Sequence, residues 1–111
     1  MIGMGLLEAI PIEKLQALHD PDDADGNGIS GKLNQVWDLA TEQTRPGRFG
    51  WKAAEPDVHQ QSMGAFAGDM GLTSTLKPTT DCMPEQNCER FAHGGEPEVS
   101  DKVANFVTFY A

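Results

Sequence analysis

Four aspartates and one asparagine crowd into residues 20–31, which read Asp20-Pro21-Asp22-Asp23-Ala24-Asp25-Gly26-Asn27-Gly28-Ile29-Ser30-Gly31. Oxygen donors at this density suit a hard cation, since Ca²⁺ takes roughly six to eight oxygen ligands from a loop that folds tightly around it. Asp23, Asp25 and Asn27 alternate as the opening ligands of an EF-hand loop do, and Gly28 falls where such a loop turns sharply. The second half departs from that pattern. Ile29 arrives one position early, and Leu33 and Asn34 stand where a bidentate Glu belongs. Asp20 or Asp22 then has to replace the missing carboxylate, as in a short DxDGxG turn rather than a helix-loop-helix sensor. Asp20, Asp22, Asp23, Asp25 and Asn27 are therefore the expected ligands, calcium the expected ion, and the affinity weak. The rival reading is an Asx-rich turn with solvated carboxylates, because Asp-Gly and Asn-Gly steps turn without metal. Mutual repulsion among packed carboxylates favours the ion.

The other reactive side chains are sparse. Cys82 and Cys88 lie in one polar stretch, too widely spaced for a CxxC knuckle and with no companion pair. A local disulfide is the preferred reading, with free thiols as the alternative. His19, His59 and His93 share no HxH or HExxH spacing, which argues against a zinc catalytic site. Gly26 and Gly28 sit among aspartates, the wrong sign for a phosphate loop. Ser62-Met63-Gly64 lacks the first glycine of a nucleophile elbow.

The elements that must position these residues fit a chain of 111 residues with net charge −9 and 39% hydrophobic residues. That charge argues against nucleic acid and against anionic membrane surfaces, which bind basic faces. No apolar run reaches the length of a membrane span, and residues 1–10 lack a basic n-region, so no signal peptide is expected. Twelve glycines and seven prolines imply long loops between few regular elements. Residues 6–18 read as short helical turns broken at Pro11. Residues 35–38 and 48–51 read as strands of a hairpin whose turn carries Pro46-Gly47. The best helix begins near Pro56-Asp57 and runs to about Gly68, with Val58, Ser62, Ala65 and Phe66 on one face. Residues 73–95 show no period and read as an irregular excursion around the cysteines. Ser100 is placed to cap a last helix whose Val103, Phe106, Val107 and Tyr110 form a buried stripe. That helix is still apolar at Ala111, which reads as truncation. The expected fold is mainly α with long loops and a small β-hairpin, over one domain spanning residues 1–111.

Several segments, taken in order, resemble a known family. They are Gly5-Leu6-Leu7-Glu8-Ala9-Ile10-Pro11, the acidic loop, Gly47-Arg48-Phe49-Gly50-Trp51-Lys52-Ala53, Gln60-Gln61, Gly64-Ala65-Phe66-Ala67-Gly68-Asp69-Met70-Gly71-Leu72-Thr73, and Pro97-Glu98-Val99-Ser100-Asp101. In this order and spacing they are similar to the bacterial di-haem oxidoreductases, also called thiol oxidoreductases, which are relatives of the di-haem cytochrome c peroxidases. The resemblance covers nearly the whole chain and implies part of a peroxidase-like fold. It places this region between two CxxCH motifs, each binding one haem, in a periplasmic protein. Neither motif occurs here, and no His follows Cys88, so covalent haem is not expected. The resemblance also implies roles for three positions. Trp51 matches an inter-haem electron relay, and Gln61 and Asp69 match the Gln and acid that border the peroxide pocket, although their separation is shorter than in the peroxidases. Read as residues alone, Trp51 is expected in the core, Gln61 at the surface, and Asp69 in an ion pair with Lys52 or Arg48 or in a backbone cap. Met4, Met63 and Met70 are expected to fill the core rather than ligate haem.

The leading expectation is a haem-less, non-catalytic domain or fragment of a di-haem oxidoreductase that keeps the calcium-type loop, working with a separate haem-bearing partner chain if it works in redox chemistry at all. The second is a stand-alone module that binds a protein partner or forms a homo-oligomer through the apolar face of the last helix. The third is an enzyme with an unfamiliar site around His59, Gln61 and Asp69.

Overall fold

A computed structural model describes residues 2–111, apart from the Glu89 side chain. The described residues form four α-helices and a two-stranded antiparallel hairpin, with two short 3-10 turns. Helix accounts for 36% of the chain, so loops outweigh it and the molecule is less helical than its sequence suggests. The chain divides into two compact units, Met1–Val58 and His59–Ala111.

In the first unit α1 (Met4–Glu8) and α2 (Ile12–Ala17) are separated at Pro11, as the sequence indicates. Proline lacks an N–H and cannot continue α1, but its fixed φ suits the residue that opens α2. Neither helix buries a residue, so neither is held by a core of its own. Arg48 supplies part of the hold. Its Nη1 donates to the carbonyls of Leu7 (3.1 Å), Glu8 (2.8 Å) and Ile10 (2.6 Å), at and just beyond the C-terminus of α1.

The hairpin pairs β1 (Gln35–Asp38) with β2 (Gln43–Pro46), in the register Gln35 to Pro46 and Asp38 to Gln43. The first strand is where the sequence places it, but the second is not residues 48–51. The reversal comes earlier, at residues 39–42, because Asp38 organises a turn immediately after its own strand. Its Oδ1 accepts from Ala40 N–H (2.9 Å) and Thr41 N–H (3.2 Å), and its Oδ2 accepts from Arg45 Nη1 at 2.6 Å. Arg45 also lies 3.7 Å from Asp57. Burial pushes the Asp38 carboxyl upward, but the Arg45 bond and the bonds from Thr41 and Ala40 outweigh it and hold the group at about 2. The Asp38 partnership raises the Arg45 guanidinium in turn.

Residues 47–55 double back as a tight loop rather than a strand. Phe49 and Glu55 exchange N–H···O bonds, both 3.0 Å, while Gly50, Lys52 and Ala53 take positive φ. Phe49 is buried at the neck. Trp51 sits at the tip and is 86% exposed, so it is not the core aromatic its size suggests. Gly47 is obligatory here, because a Cβ would collide with the Ala53 carbonyl.

The second unit is built on α3 (Val58–Met70) and α4 (Asp101–Tyr110). Met63, Val99 and Ala104 form its core, with Phe66, Leu72 and Leu76 packed against them. On α3 Val58 is buried as expected, but the other buried residues are Gln60, Met63 and Ala67, while Ser62, Ala65 and Phe66 are half-buried, Phe66 against the core. A glutamine occupies one core-facing position, which hides that row from an apolar pattern. The larger correction concerns α4. Ala104 is its one buried residue, whereas Val103 (48%), Phe106 (63%), Val107 (37%) and Tyr110 (77%) are exposed. Ser100 takes the N-cap position in extended conformation but makes no side-chain cap bond. Residues 73–95 are irregular as expected, with 3-10 turns at Pro84–Gln86 and Cys88–Arg90.

Candidate cation site and the family-matched positions

The acidic loop is closed at its neck. Asp20 N–H donates to Gly31 O at 2.8 Å, and the two residues form an isolated antiparallel bridge. Gly31 permits this closure, since a Cβ there would collide with the Leu18 carbonyl. His19 braces the same neck, its Nδ1 accepting from Leu33 N–H at 3.0 Å, so the neutral ring carries its proton on Nε2.

Inside the loop Asp20, Asp23 and Asp25 turn back on the backbone. Asp20 Oδ1 accepts from Ala24 N–H at 2.9 Å, and both Asp23 oxygens accept from Gly28 N–H at 3.1 Å. Asp25 receives the Asn27 N–H (3.1 Å) and the Asn27 side-chain amide (2.8 Å), while Asn27 Oδ1 accepts from Ile29 N–H at 2.8 Å. The Asp25 and Asn27 bonds are Asx turns, those of Asp20 and Asp23 reach further along the loop, and Asp23, Gly26 and Gly28 take positive φ. They gather carboxylate oxygens of Asp20, Asp23 and Asp25 within 4.8 Å of one another, the first two half-buried and the third exposed. Asp22 lies outside this group. Each ionised carboxylate offers about four lone-pair sites, so these hydrogen bonds leave acceptor capacity for a hard cation.

The family-matched positions fall in both units. Trp51 stands in solvent on the first unit. Gln61 and Asp69 share α3 but are roughly 12 Å apart along its axis, from eight residues at the helical rise. Gln61 Oε1 is buried and has no hydrogen-bond partner among the described residues. An acceptor in that condition is costly and expects a donor. Asp69 is exposed, and the ion pairs found among the described residues do not include it. Arg48 is instead occupied by the α1 carbonyls. Of the methionines, Met63 is buried, Met4 half-buried and Met70 exposed.

His59 has a defined setting that the sequence does not reveal. Its Nδ1 lies 2.9 Å from Thr108 Oγ1, which itself donates to Ala104 O at 2.9 Å. The hydroxyl proton being committed, Nδ1 must be the donor, and the bond ties the start of α3 to the end of α4. Cys82 and Cys88 are joined as a disulfide with Cα atoms 6.3 Å apart. A sulfur so bonded cannot form a thioether to haem.

A family model for di-haem oxidoreductases, whose description adds peroxidase as a provisional activity, matches residues 1–111. No curated protein and no solved structure matches the chain.

Proposed function

The chain belongs to the di-haem oxidoreductase family, and from that premise we propose that it is a haem-less, non-catalytic segment of such an oxidoreductase that retains a calcium-type acidic loop. One observation carries this reading. The family match spans the whole chain, yet the chain holds no CxxCH motif and its two cysteines are paired with each other. The donor set therefore does not fit a covalently attached haem, and any chemistry of the segment has to come from its other residues. The wide separation of Gln61 and Asp69 and the solvent exposure of Trp51 are consistent with a scaffold.

The acidic loop supplies that chemistry. Asp20, Asp23 and Asp25 would hold calcium through hard oxygen ligands, with Asp22 and Asn27 within sequence reach to complete the shell. The ion would neutralise three adjacent carboxylates and fix the neck that the Asp20–Gly31 bridge closes. Its role is structural.

A second reading, a self-associating module, is favoured by the face of α4. Phe106, Phe109 and Tyr110 are each more than half exposed, which is unusual for one short helix in water.

Haem attachment tests the main reading. The chain should be exported in a host that matures c-type cytochromes, and the denatured product weighed intact. The expected mass is that of the polypeptide alone, less the hydrogens lost to the disulfide. A haem adduct that survives denaturation would overturn the proposal.

A further inference from the structure

Asn27 is followed by Gly28 in the acidic loop, and a glycine in that place leaves the asparagine amide open to attack by the next backbone nitrogen. The attack closes a five-membered ring within one chain, so much of its entropy is already spent. At Gly28 φ is +83°, an added Cβ would meet nothing within 4 Å, and both residues are exposed. The other three asparagines lack this setting. Asn105 lies within α4, and Asn87 is followed by a cysteine held in the disulfide. Asn34 leads into β1 and donates its amide to the carbonyls of Lys52 (3.3 Å) and Ala53 (3.1 Å).

The closed loop nevertheless commits every reacting group. Gly28 N–H, the nucleophile, donates to both Asp23 oxygens at 3.1 Å. Asn27 Nδ2, the leaving group, donates to Asp25 Oδ2 at 2.8 Å, and Asn27 Oδ1 accepts from Ile29 N–H at 2.8 Å. The new N–C bond must take the place of the Gly28 hydrogen, and Asp23 occupies that direction. The Ile29 bond acts in the opposite sense, because it would stabilise charge developing on Oδ1 during attack. Asp23 is therefore the group that decides whether the ring can close.

We propose that Asn27–Gly28 is a site of spontaneous deamidation, which Asp23 guards while the loop is closed. When the bonds from Gly28 to Asp23 open, hydroxide takes the Gly28 N–H proton and the nitrogen attacks Asn27 Cγ. The N–C bond forms, the Cγ–Nδ2 bond breaks, and the amide departs as ammonia with a proton from water, which restores the hydroxide. Water then opens the succinimide at either carbonyl to give aspartate or isoaspartate, and nothing is oxidised or reduced. Both products replace the amide that donates to Asp25 with a carboxylate that repels it. Isoaspartate also reroutes the backbone through the side chain. The modified loop cannot remake its amide bond to Asp25, so the change runs one way.

The full chain should be held at mildly alkaline pH for several days, natively and in urea, with chelator present so that the calcium reading plays no part. Trypsin leaves each asparagine on a separate peptide, with Asn27 on residues 15–32. Conversion is read as the amide-to-acid mass shift of that peptide, and isoaspartate by labelling with an isoaspartyl methyltransferase. An exposed hydrogen bond is worth about a factor of 10. Asn27 should therefore convert about 10-fold faster in urea than natively, and about 10-fold faster in native Asp23→Ala than in native wild type. Native Asp23→Asn, whose Oδ1 still accepts from Gly28, should keep the wild-type rate. In urea all three chains should convert alike, with Asn34, Asn87 and Asn105 lagging behind Asn27. Equal wild-type rates with and without urea would overturn the proposal. So would an unchanged native rate in Asp23→Ala, a gap between the chains that persists in urea, or no conversion of Asn27 in urea.

Discussion

Replacing Asp38 with asparagine removes one charge from a group whose side chain is 1% exposed, and keeps the shape of the turn it organises. Asparagine Oδ1 still accepts from Ala40 and Thr41, so the loss is confined to the pairing with Arg45. The carboxyl lies at about 2 against an ordinary 3.8. That difference corresponds to about 2 kcal/mol of stability at neutral pH. Because the folded pKa is depressed, the contribution is complete above the unfolded value near 4 and is lost as pH falls through the folded value near 2. At pH 3 about half of it should remain. The partly exposed Arg45 finds water when its partner goes, which keeps the penalty below the ~3–5 kcal/mol of a fully buried broken pair. Urea unfolding of wild type and Asp38→Asn at pH 7 and pH 3 measures both quantities. Equal midpoints at pH 7, or a difference that does not shrink on acidification, would refute the reasoning.

Two further perturbations separate backbone from surface effects. Gly5→Ala places a Cβ in open space within α1 and should stabilise by about 0.5–1 kcal/mol, whereas Gly47→Ala drives one into the Ala53 carbonyl and should cost about 2–3 kcal/mol, both read as shifts in the urea midpoint. Phe106→Asp on the exposed face of α4 should leave the urea midpoint nearly unchanged, and should convert any dimer seen by sedimentation to monomer if that face self-associates.

Much of the architecture was legible from local chemistry. Pro11 divides the first two helices, Gln35–Asp38 is a strand, and the segment around the cysteines has no period to read and none in the structure. What stayed hidden depends on side chains acting at a distance from their usual habit. A buried aspartate organising its own turn moved the second strand from residues 48–51 to Gln43–Pro46. On α3 Val58 is buried and Phe66 packs on the core as the pattern indicates, but the row of Gln60, Met63 and Ala67 stayed hidden behind its glutamine. Helical periodicity named the apolar stripe of α4 correctly as a stripe, but periodicity cannot say what, if anything, covers it.

The candidate site shows the same division. The Asp-Gly and Asn-Gly steps announce the turns that gather Asp20, Asp23 and Asp25, and sequence order alone could not separate Asp22 from that group. The closure at Gly31 and the brace from His19 arise across 11 and 14 residues of chain, beyond any local motif. The exposure of Trp51 and the separation of Gln61 from Asp69 along α3 were equally invisible, because a matched order of residues fixes neither.

Calcium titration into chelator-treated protein, followed by thermal melting, decides most directly whether this segment keeps a working cation site. With a dissociation constant of about 1 mM, roughly 10 mM calcium should add about 1.4 kcal/mol and raise the melting temperature by about 6 °C. Asp25→Ala should abolish the rise. Identical melting with calcium and with chelator, or a rise that survives Asp25→Ala, would contradict the proposed site.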